Sequence, residues 1–405
     1  MSTTATNSDA REVAAGGVAH AAPAETIRLA VFQPAMPKYR LPVFQELARR
    51  PGIKFKLFYS SDEPVKNVTP VGFDAEPITS RVLLKSPRLM WREKQLEIAN
   101  SDHFDVMVAG WNTRYVSLIA SLRIAAKRGM PTVVWGHGYS KQENRAKRGF
   151  RDWVGNLATA VLFYGSRARN DFVRRHNAEH RAFVAPNSLD QSEAVRLRAQ
   201  WLAEPERLAA FKREHGLDQG PTLFFVSRLI HENRTDLLLA CIPQLARDFP
   251  GVRAVIVGDG PVRAELEQQA ARLGIADRVT FTGAIYEESQ LAPWFLASDL
   301  FAYPRNIGLS LLHAMGYGLP VVTTDDQVSW APEVECLKPW MNGMFYRDGD
   351  VDDLTEVIRL ILSDRERLDA MKKQALKTAT EDYSVQKMVD GMEAAIRYAY
   401  SQRRR

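Results

Sequence analysis

The stretch YPRNIGLSLLHAMGYGLPVV, residues 303–322, connects two short apolar strands through an apolar helix. The first strand ends at Pro304, the helix spans 308–318, and the second strand starts directly after Gly318. A near-continuous apolar strand has no polar face to turn toward water, so it is typical of a parallel sheet that is covered on both sides. The stretch therefore predicts a strand–helix–strand unit of an α/β fold.

The same alternation of strands and helices continues in both directions along the chain. In the first half the pattern predicts strands at 27–33, 54–60, 106–111, 132–137, 160–165 and 181–186, and helices at 41–50 and 114–129. In the second half it predicts strands at 222–227, 253–258, 278–283, 300–304 and 320–324, and helices at 234–249, 261–274 and 308–318. Two such series predict two doubly wound domains, each built on its own parallel sheet.

The domain boundaries follow from where this alternation stops. The first residues are rich in Ala, Gly and Thr, and a later charged stretch contains Pro205 and Gly220. We predict a disordered tail (1–25), an N-terminal domain (26–190), a linker (191–220), a C-terminal domain (221–384) and a C-terminal helix (385–405).

The composition is that of a globular protein, with 45% hydrophobic and 25% charged residues among 405. No apolar run approaches the roughly 18 residues that a membrane-spanning helix needs. The two cysteines, Cys241 and Cys336, lie far apart in the sequence. This usage predicts a cytoplasmic protein without a disulfide framework or a cysteine metal site.

The net charge of +6 is unevenly distributed. Residues 26–190 hold 27 Lys and Arg against 14 Asp and Glu, whereas residues 191–405 hold 26 against 31. So basic a first half favours an anionic partner, although an ordinary solvated surface is the alternative. Residues 81–98 mix basic and apolar side chains, as interfacial segments do, and segments 143–153 and 167–176 add further cations. We therefore expect contact with an anionic membrane surface. No nucleic-acid-binding module is recognisable, so nucleic acid is not expected as a partner.

The start of the predicted helix at Gly308 is a candidate anion site. A glycine lets a ligand approach the backbone closely, and the N–H groups of Leu309 and Ser310 point out of the first turn. Together with Arg305, they suit the diphosphate of a sugar nucleotide. His313 lies about 1.4 turns further along, where it faces either the same cleft or the core.

Other candidates follow the carboxyl ends of strands, where open α/β sheets bind ligands. Arg228 follows one strand and either holds a phosphate or is an ordinary surface arginine. Gly258 opens a Gly-Asp-Gly turn that is either half of a nucleotide-binding unit or a simple tight turn. His137, followed by a glycine, is placed to face an interdomain cleft, unless its role is purely structural.

Several catalytic signatures are absent from the sequence. It contains no G-x-x-x-x-G-K-[ST] phosphate loop, no G-x-S-x-G elbow, no H-E-x-x-H and no C-x-x-C. The pair Asp348 and Asp350 resembles a ligand set for a divalent cation, but it lies in a polar loop. We interpret it as a turn, and we predict no metal site.

The order of the motifs carries a family resemblance. FFVSRL, VIVGDGPVRAELE, VTFTGAI, ASDLFAYP, GLSLLHAMGYGLPVVTTD, APE and NGMFYRDGD follow one another at the spacings of the C-terminal domain of glycosyltransferase family 4, which this chain resembles. FVAPNSLD resembles the segment that closes the N-terminal domain of that family. The similarity is dense over about 180–350 and mainly topological over 26–180.

The resemblance implies a GT-B fold, in which two Rossmann-like domains face each other across a cleft. The C-terminal domain would hold the nucleotide sugar, the N-terminal domain the acceptor, and the last helix would cross back to the N-terminal domain. It further implies a metal-independent, retaining enzyme that needs no cofactor beyond its UDP- or GDP-linked donor. Cations and helix N–H groups would stabilise the departing nucleoside diphosphate.

Residue by residue, the resemblance assigns roles in the donor site. Arg228 matches the phosphate-binding arginine, and the lysine expected five residues later is Asn233, with Arg234 beside it. Gly308 and Leu309 match the backbone site for the diphosphate. The resemblance also matches His137 to a histidine that contacts the transferred sugar, and it places Glu333, in APE, near the donor.

Two positions depart from the family pattern. The Glu-x7-Glu pair expected at 305 and 313 is replaced by Arg305 and His313. A neutral imidazole still accepts one hydrogen bond, whereas a guanidinium accepts none. Three alternatives follow: the donor sugar is acidic and pairs with Arg305, Arg305 replaces the missing lysine on the phosphates, or activity has been lost.

We therefore predict a glycosyltransferase of the hexosyltransferase type (EC 2.4). It would transfer a sugar to a saccharide or lipid-linked acceptor in polysaccharide or lipopolysaccharide biosynthesis. Its expected location is the cytoplasm, with a peripheral position on the inner face of the membrane. The alternatives are an inactive GT-B binding subunit and a non-transferring GT-B enzyme such as a sugar-nucleotide 2-epimerase.

Overall fold

A computed structural model describes residues 25–62, 65–84, 86, 89–139 and 144–403. Its two large sheets consist of parallel strands only, and each belongs to a different half of the chain. The prediction of two α/β domains is therefore confirmed. The predicted tail lies outside the described residues except for Glu25.

The N-terminal sheet has seven strands in the order β3-β2-β1-β6-β7-β8-β9. Its strands are β1 (Ile27–Gln33), β2 (Ile53–Ser60), β3 (Asp74–Ile78), β6 (Val106–Gly110), β7 (Thr132–Gly136), β8 (Ala160–Phe163) and β9 (Ala182–Val184). A separate antiparallel hairpin pairs β4 (Arg81–Val82) with β5 (Met90–Trp91). The inner strands β7 and β8 are buried along their whole length, as their continuous apolar sequences predict.

Helices cover both faces of this sheet. They are α1 (Leu41–Ala48), α2 (Glu93–Ala99), α3 (Val116–Lys127), α4 (Arg145–Asn156) and α5 (Ser166–His176). Successive residues of a strand belong to two different apolar clusters. In β1, for example, Val31 belongs to one cluster and Phe32 to the other. The alternation follows from the two-residue repeat of a strand.

The C-terminal sheet has six strands in the order β12-β11-β10-β13-β14-β15. They are β10 (Thr222–Val226), β11 (Arg253–Val257), β12 (Val279–Gly283), β13 (Leu300–Ala302), β14 (Val321–Thr324) and β15 (Gly343–Tyr346). The helices are α6 (Ser192–Ala203), α7 (Pro205–Glu214), α8 (Thr235–Asp248), α9 (Arg263–Arg272), α10 (Glu288–Ala297), α11 (Ser310–Gly316), α12 (Val351–Ser363), α13 (Arg365–Lys377) and α14 (Val385–Ser401). The strand order reverses beside β10, because β11 and β12 lie on one side of it and β13 to β15 on the other. At such a switch point a crevice opens beyond the carboxyl ends of β10 and β13.

Residues 191–220, predicted as a linker, instead form α6 and α7. Ala194, Leu197 and Trp201 of α6 are buried in the core of the C-terminal domain. Their spacing of three and four residues is that of one helix face, so this segment gains stability by packing rather than spanning a gap. The last helix, α14, packs against the core of the N-terminal domain through residues such as Met388 and Ile396.

Candidate functional site

The first turn of α11 carries unpaired backbone donors. None of the N–H groups of Gly308, Leu309 and Ser310 donates a hydrogen bond to any residue that the structure describes. A Cβ atom added to Gly308 would meet nothing nearer than the Cβ of Ala331, at 4.0 Å. The protein interior therefore does not require a glycine here, and the space beside it is open to a ligand.

Arg228 lies at the carboxyl end of β10, beside the same crevice. Its side chain is exposed and forms no ion pair or hydrogen bond with the described part of the chain. Its carbonyl oxygen accepts a hydrogen bond from the side-chain amide of Asn233 at 2.8 Å. The structure thus fixes the backbone of Arg228 and leaves its guanidinium available.

Asn233, which occupies the position of the expected lysine, is buried. Its Nδ2 also donates to the hydroxyl of Ser227 at 3.2 Å, and its Oδ1 accepts from Asn306 at 3.4 Å. Because both ends of the amide are bound within the protein, Asn233 connects the loops after β10 and β13. In this structure, Asn233 therefore positions these loops, and its side-chain amide already has partners within the protein.

Arg234 starts α8 with a left-handed backbone conformation, φ 52°. Its guanidinium pairs with Asp236 at 3.0 Å, and this hydrogen bond raises the pKa of Arg234. The side chain remains partly exposed. It is near the same carboxylate, Asp348, that pairs with Arg305.

Gly258 is required by packing between strand ends. It has φ +144°, and a Cβ atom at this position would lie 1.9 Å from the carbonyl oxygen of Ser227. No other residue fits without moving β10. The geometry agrees with the tight-turn alternative, and it also keeps the end of β10 close to the start of the next helix.

Arg305 is held by two aspartates. Its Nη2 lies 2.8 Å from Asp326 Oδ2, and its Nε lies 3.4 Å from Asp348 Oδ1. The hydrogen bond from Arg305 lowers the pKa of Asp326. The cation that replaces the first expected glutamate is thus accompanied by two carboxylates.

His313 is likewise accompanied by a carboxylate. Its Nε2 lies 2.7 Å from Glu288 Oε1, and the hydroxyl of Tyr317 donates to the same oxygen at 2.6 Å. Burial alone would raise the pKa of Glu288, but the bonds to His313 and Tyr317 and the charge of Lys38 leave it lowered.

His137 follows β7 in the N-terminal domain; the residue is partly accessible to solvent, although many protein atoms surround its ring. Its ring packs near Tyr164, with ring centroids 4.8 Å apart. Desolvation by the surrounding protein, together with the charge of Arg40, lowers the pKa of His137 to about 4. The imidazole is therefore neutral near pH 7.

Glu333 lies between the two domains and is only 3% exposed. It belongs to a 3₁₀ turn, Pro332–Cys336, and its Oε1 accepts a hydrogen bond from the side chain of Asn187. Burial raises the pKa of Glu333. The carboxylate is thus held at the contact between the domains by Asn187, and its place near the donor stays a prediction.

The pair Asp348 and Asp350 forms a turn, as predicted. Asp350 caps α12 by accepting from the N–H of Asp353, whereas Asp348 pairs with Arg305. The two side chains therefore serve different elements.

The acidic partners Glu288 and Asp326 were not predicted from the sequence. Each follows the carboxyl end of a strand, as the predicted candidates do, so the same positional signal was present. Their pairing was not visible, because Arg305 and Asp326 lie on separate strand ends 21 residues apart. Glu288 and His313 are separated by 25 residues.

The two parallel sheets, with a site between their carboxyl ends, define the GT-B class of fold. The fold is similar to that of Anabaena Alr3699/HepE in complex with UDP, with a TM-score of 0.66 and 19% sequence identity over 92% of this chain and 100% of that one. The prediction of a GT-B fold is confirmed. Residues 209–378, which contain α11 and Arg228, match the family model of glycosyl transferases group 1.

Two relatives carry named activities. One is the GDP-mannose-dependent alpha-(1-6)-phosphatidylinositol monomannoside mannosyltransferase of Mycolicibacterium smegmatis, 28% identical over 54% of this chain and 56% of that protein. The other is the lipopolysaccharide core biosynthesis mannosyltransferase LpsB of Rhizobium meliloti, 30% identical over 43% of this chain and 51% of that protein. In both comparisons the matched region covers about half the length of the relative.

Proposed function

We propose that this protein is a retaining glycosyltransferase of the hexosyltransferase type, active in the biosynthesis of cell-surface glycans. It transfers a sugar from a UDP- or GDP-linked donor to a saccharide or lipid-linked acceptor. The observation that carries the proposal is the pairing of unpartnered N–H groups at the start of α11 with the available guanidinium of Arg228. The named activities of the two relatives, both mannosyltransferases of glycolipid or lipopolysaccharide assembly, support it.

In this proposal the donor diphosphate lies in the crevice beyond β10 and β13. Arg228 and the N–H groups of Gly308, Leu309 and Ser310 neutralise the charge that develops as the glycosidic bond to the diphosphate breaks. Donors fixed in advance stabilise such charge without the cost of reorganising water. This role needs no metal ion, and retention of anomeric configuration follows if donor phosphate and acceptor share one face of the sugar.

The carboxylates beside Arg305 and His313 argue for retained activity. Glutamates in a donor site accept hydrogen bonds from hydroxyl groups, and Asp326, Asp348 and Glu288 supply the same type of acceptor. Because Arg305 is already opposed by two carboxylates, the geometry favours a neutral donor sugar over an acidic one.

The neutral imidazole of His137 suits contact with the transferred sugar. With a pKa of about 4, it offers one donor and one acceptor to hydroxyl groups at neutral pH. Its position after β7 places it on the N-terminal side of the cleft. We assign it to orienting the sugar.

Peripheral membrane binding is part of the proposal. The outer side of α4 exposes Phe150 (46%) and Trp153 (40%), whose rings stack 5.7 Å apart. At the β4–β5 hairpin Leu84 is 87% exposed. Apolar side chains within a basic domain are typical of a surface that binds anionic lipid.

No helix in the described ranges has both the length and the apolar character needed to cross a bilayer. Sedimentation with anionic vesicles tests the peripheral interaction. Phe150→Ser should weaken it, whereas Leu360→Ser, at an exposed apolar position of α12, should leave it unchanged. Equal binding by both variants would remove α4 from the interface.

Calorimetry with a panel of UDP-, GDP- and dTDP-sugars tests the donor assignment. We expect one nucleotide class to bind and the free diphosphate to compete with its sugar. Failure of every nucleotide to bind would favour the alternative of a binding subunit that has lost the donor site. Binding accompanied by epimerisation without transfer would favour a 2-epimerase.

A further inference from the structure

A cavity of about 400 Å³ lies between the two domains, and none of the predicted donor residues lines it. The N-terminal domain contributes the turn at Gly138 and Tyr139 together with residues of α4 and α5. The C-terminal domain contributes Gln327, Val328, Trp330, Ala331, Pro332 and Glu335. Since both domains form its walls, a ligand bound here would be held at the cleft.

Three arginines of the N-terminal domain line this cavity: Arg148, Arg167 and Arg175. Arg175 forms an ion pair with Asp152 at 2.8 Å. The Arg167 side chain instead hydrogen-bonds the neutral amide of Gln327, and no carboxylate of the described residues lies within ion-pair distance of it. The guanidinium of Arg167 thus has no carboxylate in direct contact among the described residues.

The two acidic residues of the cavity wall are engaged in other contacts. Asp171 pairs with Arg174 on the next turn of α5. Glu335 accepts hydrogen bonds from the N–H groups of Ser166 at 2.7 Å and Arg167 at 2.9 Å, at the start of α5. A helix start stabilises a carboxylate there, and Glu335 forms no ion pair with the guanidinium of Arg167.

Aromatic side chains form another part of the wall. Trp330 is half-buried, stacks on Phe345 with ring centroids 4.8 Å apart, and lies below the guanidinium of Arg167 at 5.8 Å. Tyr139 is 38% exposed, and its hydroxyl donates to the carbonyl oxygen of Trp330 at 3.3 Å. A cation beside aromatic surfaces offers both an ion pair and an apolar contact for a sugar ring.

The cavity adjoins the proposed donor site. Ala331 lines the cavity, and its Cβ lies 4.0 Å from the position of a Cβ on Gly308. On the other side, Gly138 lines the cavity directly after His137. An acceptor held here would have one end near the transferred sugar.

The cavity also adjoins the proposed membrane surface. Arg148 lines it from α4, the helix that exposes Phe150 and Trp153 to solvent. A lipid headgroup could therefore enter the cavity while α4 rests on the bilayer.

We propose that this cavity binds a phosphate-bearing saccharide headgroup of the acceptor, with Arg167 as the phosphate ligand and Trp330 beside the sugar. This inference rests on the proposed glycosyltransferase function and specifies its acceptor class. The phosphate belongs either to a lipid headgroup or to a soluble sugar phosphate, because both present the same anion to Arg167.

Ligand-observed NMR titration of the full chain tests the inference with mannose 6-phosphate, methyl mannoside and inorganic phosphate as probes. We expect mannose 6-phosphate to bind more tightly than either other probe. Arg167→Gln should weaken it by about tenfold or more, since a hydrogen bond to a charged group is lost. Arg49→Gln, at an exposed arginine of the same domain, should have no effect.

Arg167→Lys keeps the charge and should retain part of the affinity, which keeps the test decisive if Arg167→Gln does not fold. Failure of the wild type to distinguish mannose 6-phosphate from methyl mannoside would overturn the inference. So would equal losses in Arg167→Gln and Arg49→Gln.

Vesicles separate the two sources of phosphate. If a lipid supplies it, phosphatidylinositol in phosphatidylcholine vesicles should increase sedimentation of the wild type more than that of Arg167→Gln. Unchanged sedimentation with weaker sugar-phosphate binding would assign a soluble acceptor. Nucleotide binding by the same samples tests the donor site separately, so loss of one proposal does not imply loss of the other.

Discussion

Replacing Arg228 by glutamine should impair nucleotide binding without affecting the fold. The side chain is exposed and makes no ion pair or hydrogen bond with the described residues, so its removal breaks no contact within them. Surface substitutions of this type change the free energy of unfolding by about 0.5 kcal/mol or less.

The effect on binding should be much larger. A hydrogen bond to a charged group contributes about 1.5–3 kcal/mol. Since about 1.4 kcal/mol corresponds to a tenfold change in Kd, the variant should bind UDP or GDP roughly 10- to 100-fold more weakly. Calorimetry measures the affinity, and thermal unfolding measures the stability of the same samples.

Arg272→Gln is a matched control for this variant. Arg272 is an exposed arginine of the same domain, at the end of α9, with no ion pair among the described residues. Its substitution should change neither quantity. A role of Arg228 in phosphate binding is excluded if Arg228→Gln binds nucleotide as well as Arg272→Gln does. It is also excluded if the loss of free energy of binding in Arg228→Gln is matched by an equal loss in its free energy of unfolding.

Three further substitutions and titrations probe the site. Gly308→Ala should leave thermal stability nearly unchanged but reduce nucleotide affinity, whereas Gly258→Ala should lower the melting temperature, because its Cβ would meet the carbonyl oxygen of Ser227. The pKa of Glu288 is lowered in the folded state, so its carboxylate stabilises the fold above the unfolded pKa, and this contribution disappears on acidification. In urea unfolding, Glu288→Gln should therefore be less stable than the wild type at pH 7. The difference in the free energy of unfolding should shrink in acid. The depressed pKa of His137 makes the fold lose stability as pH falls from about 6.5 to about 4, and NMR should show its ring titrating near 4, not near 6.5.

The sequence predicted the parts of the fold that depend on local pattern. Strands such as β7 and β13 are continuous apolar runs, and the helix that follows Gly308 was expected from one short segment. The helix α6 was missed because its charges concealed the buried face formed by Ala194, Leu197 and Trp201. A spacing of three and four residues was present there and would have predicted it.

The contacts of Arg305 and His313 were beyond the reach of local pattern. Their carboxylate partners, Asp326 and Glu288, follow other strands and approach only when the sheet has formed. For the same reason, the sequence could not show that Asn233 is bound within the protein on both sides of its amide. Distant pairings of this kind decide whether a charged residue serves the ligand or the fold.

Donor turnover followed by NMR measures both the transferase chemistry and its stereochemistry. The wild type is incubated with the nucleotide sugar that binds most tightly, without added acceptor, and the first anomer released is recorded with the nucleoside diphosphate. We expect cleavage with retained anomeric configuration, strongly impaired in Arg228→Gln but not in Arg272→Gln. Release of the inverted anomer would contradict the retaining mechanism, and tight binding without cleavage or transfer would contradict the assignment as a transferase.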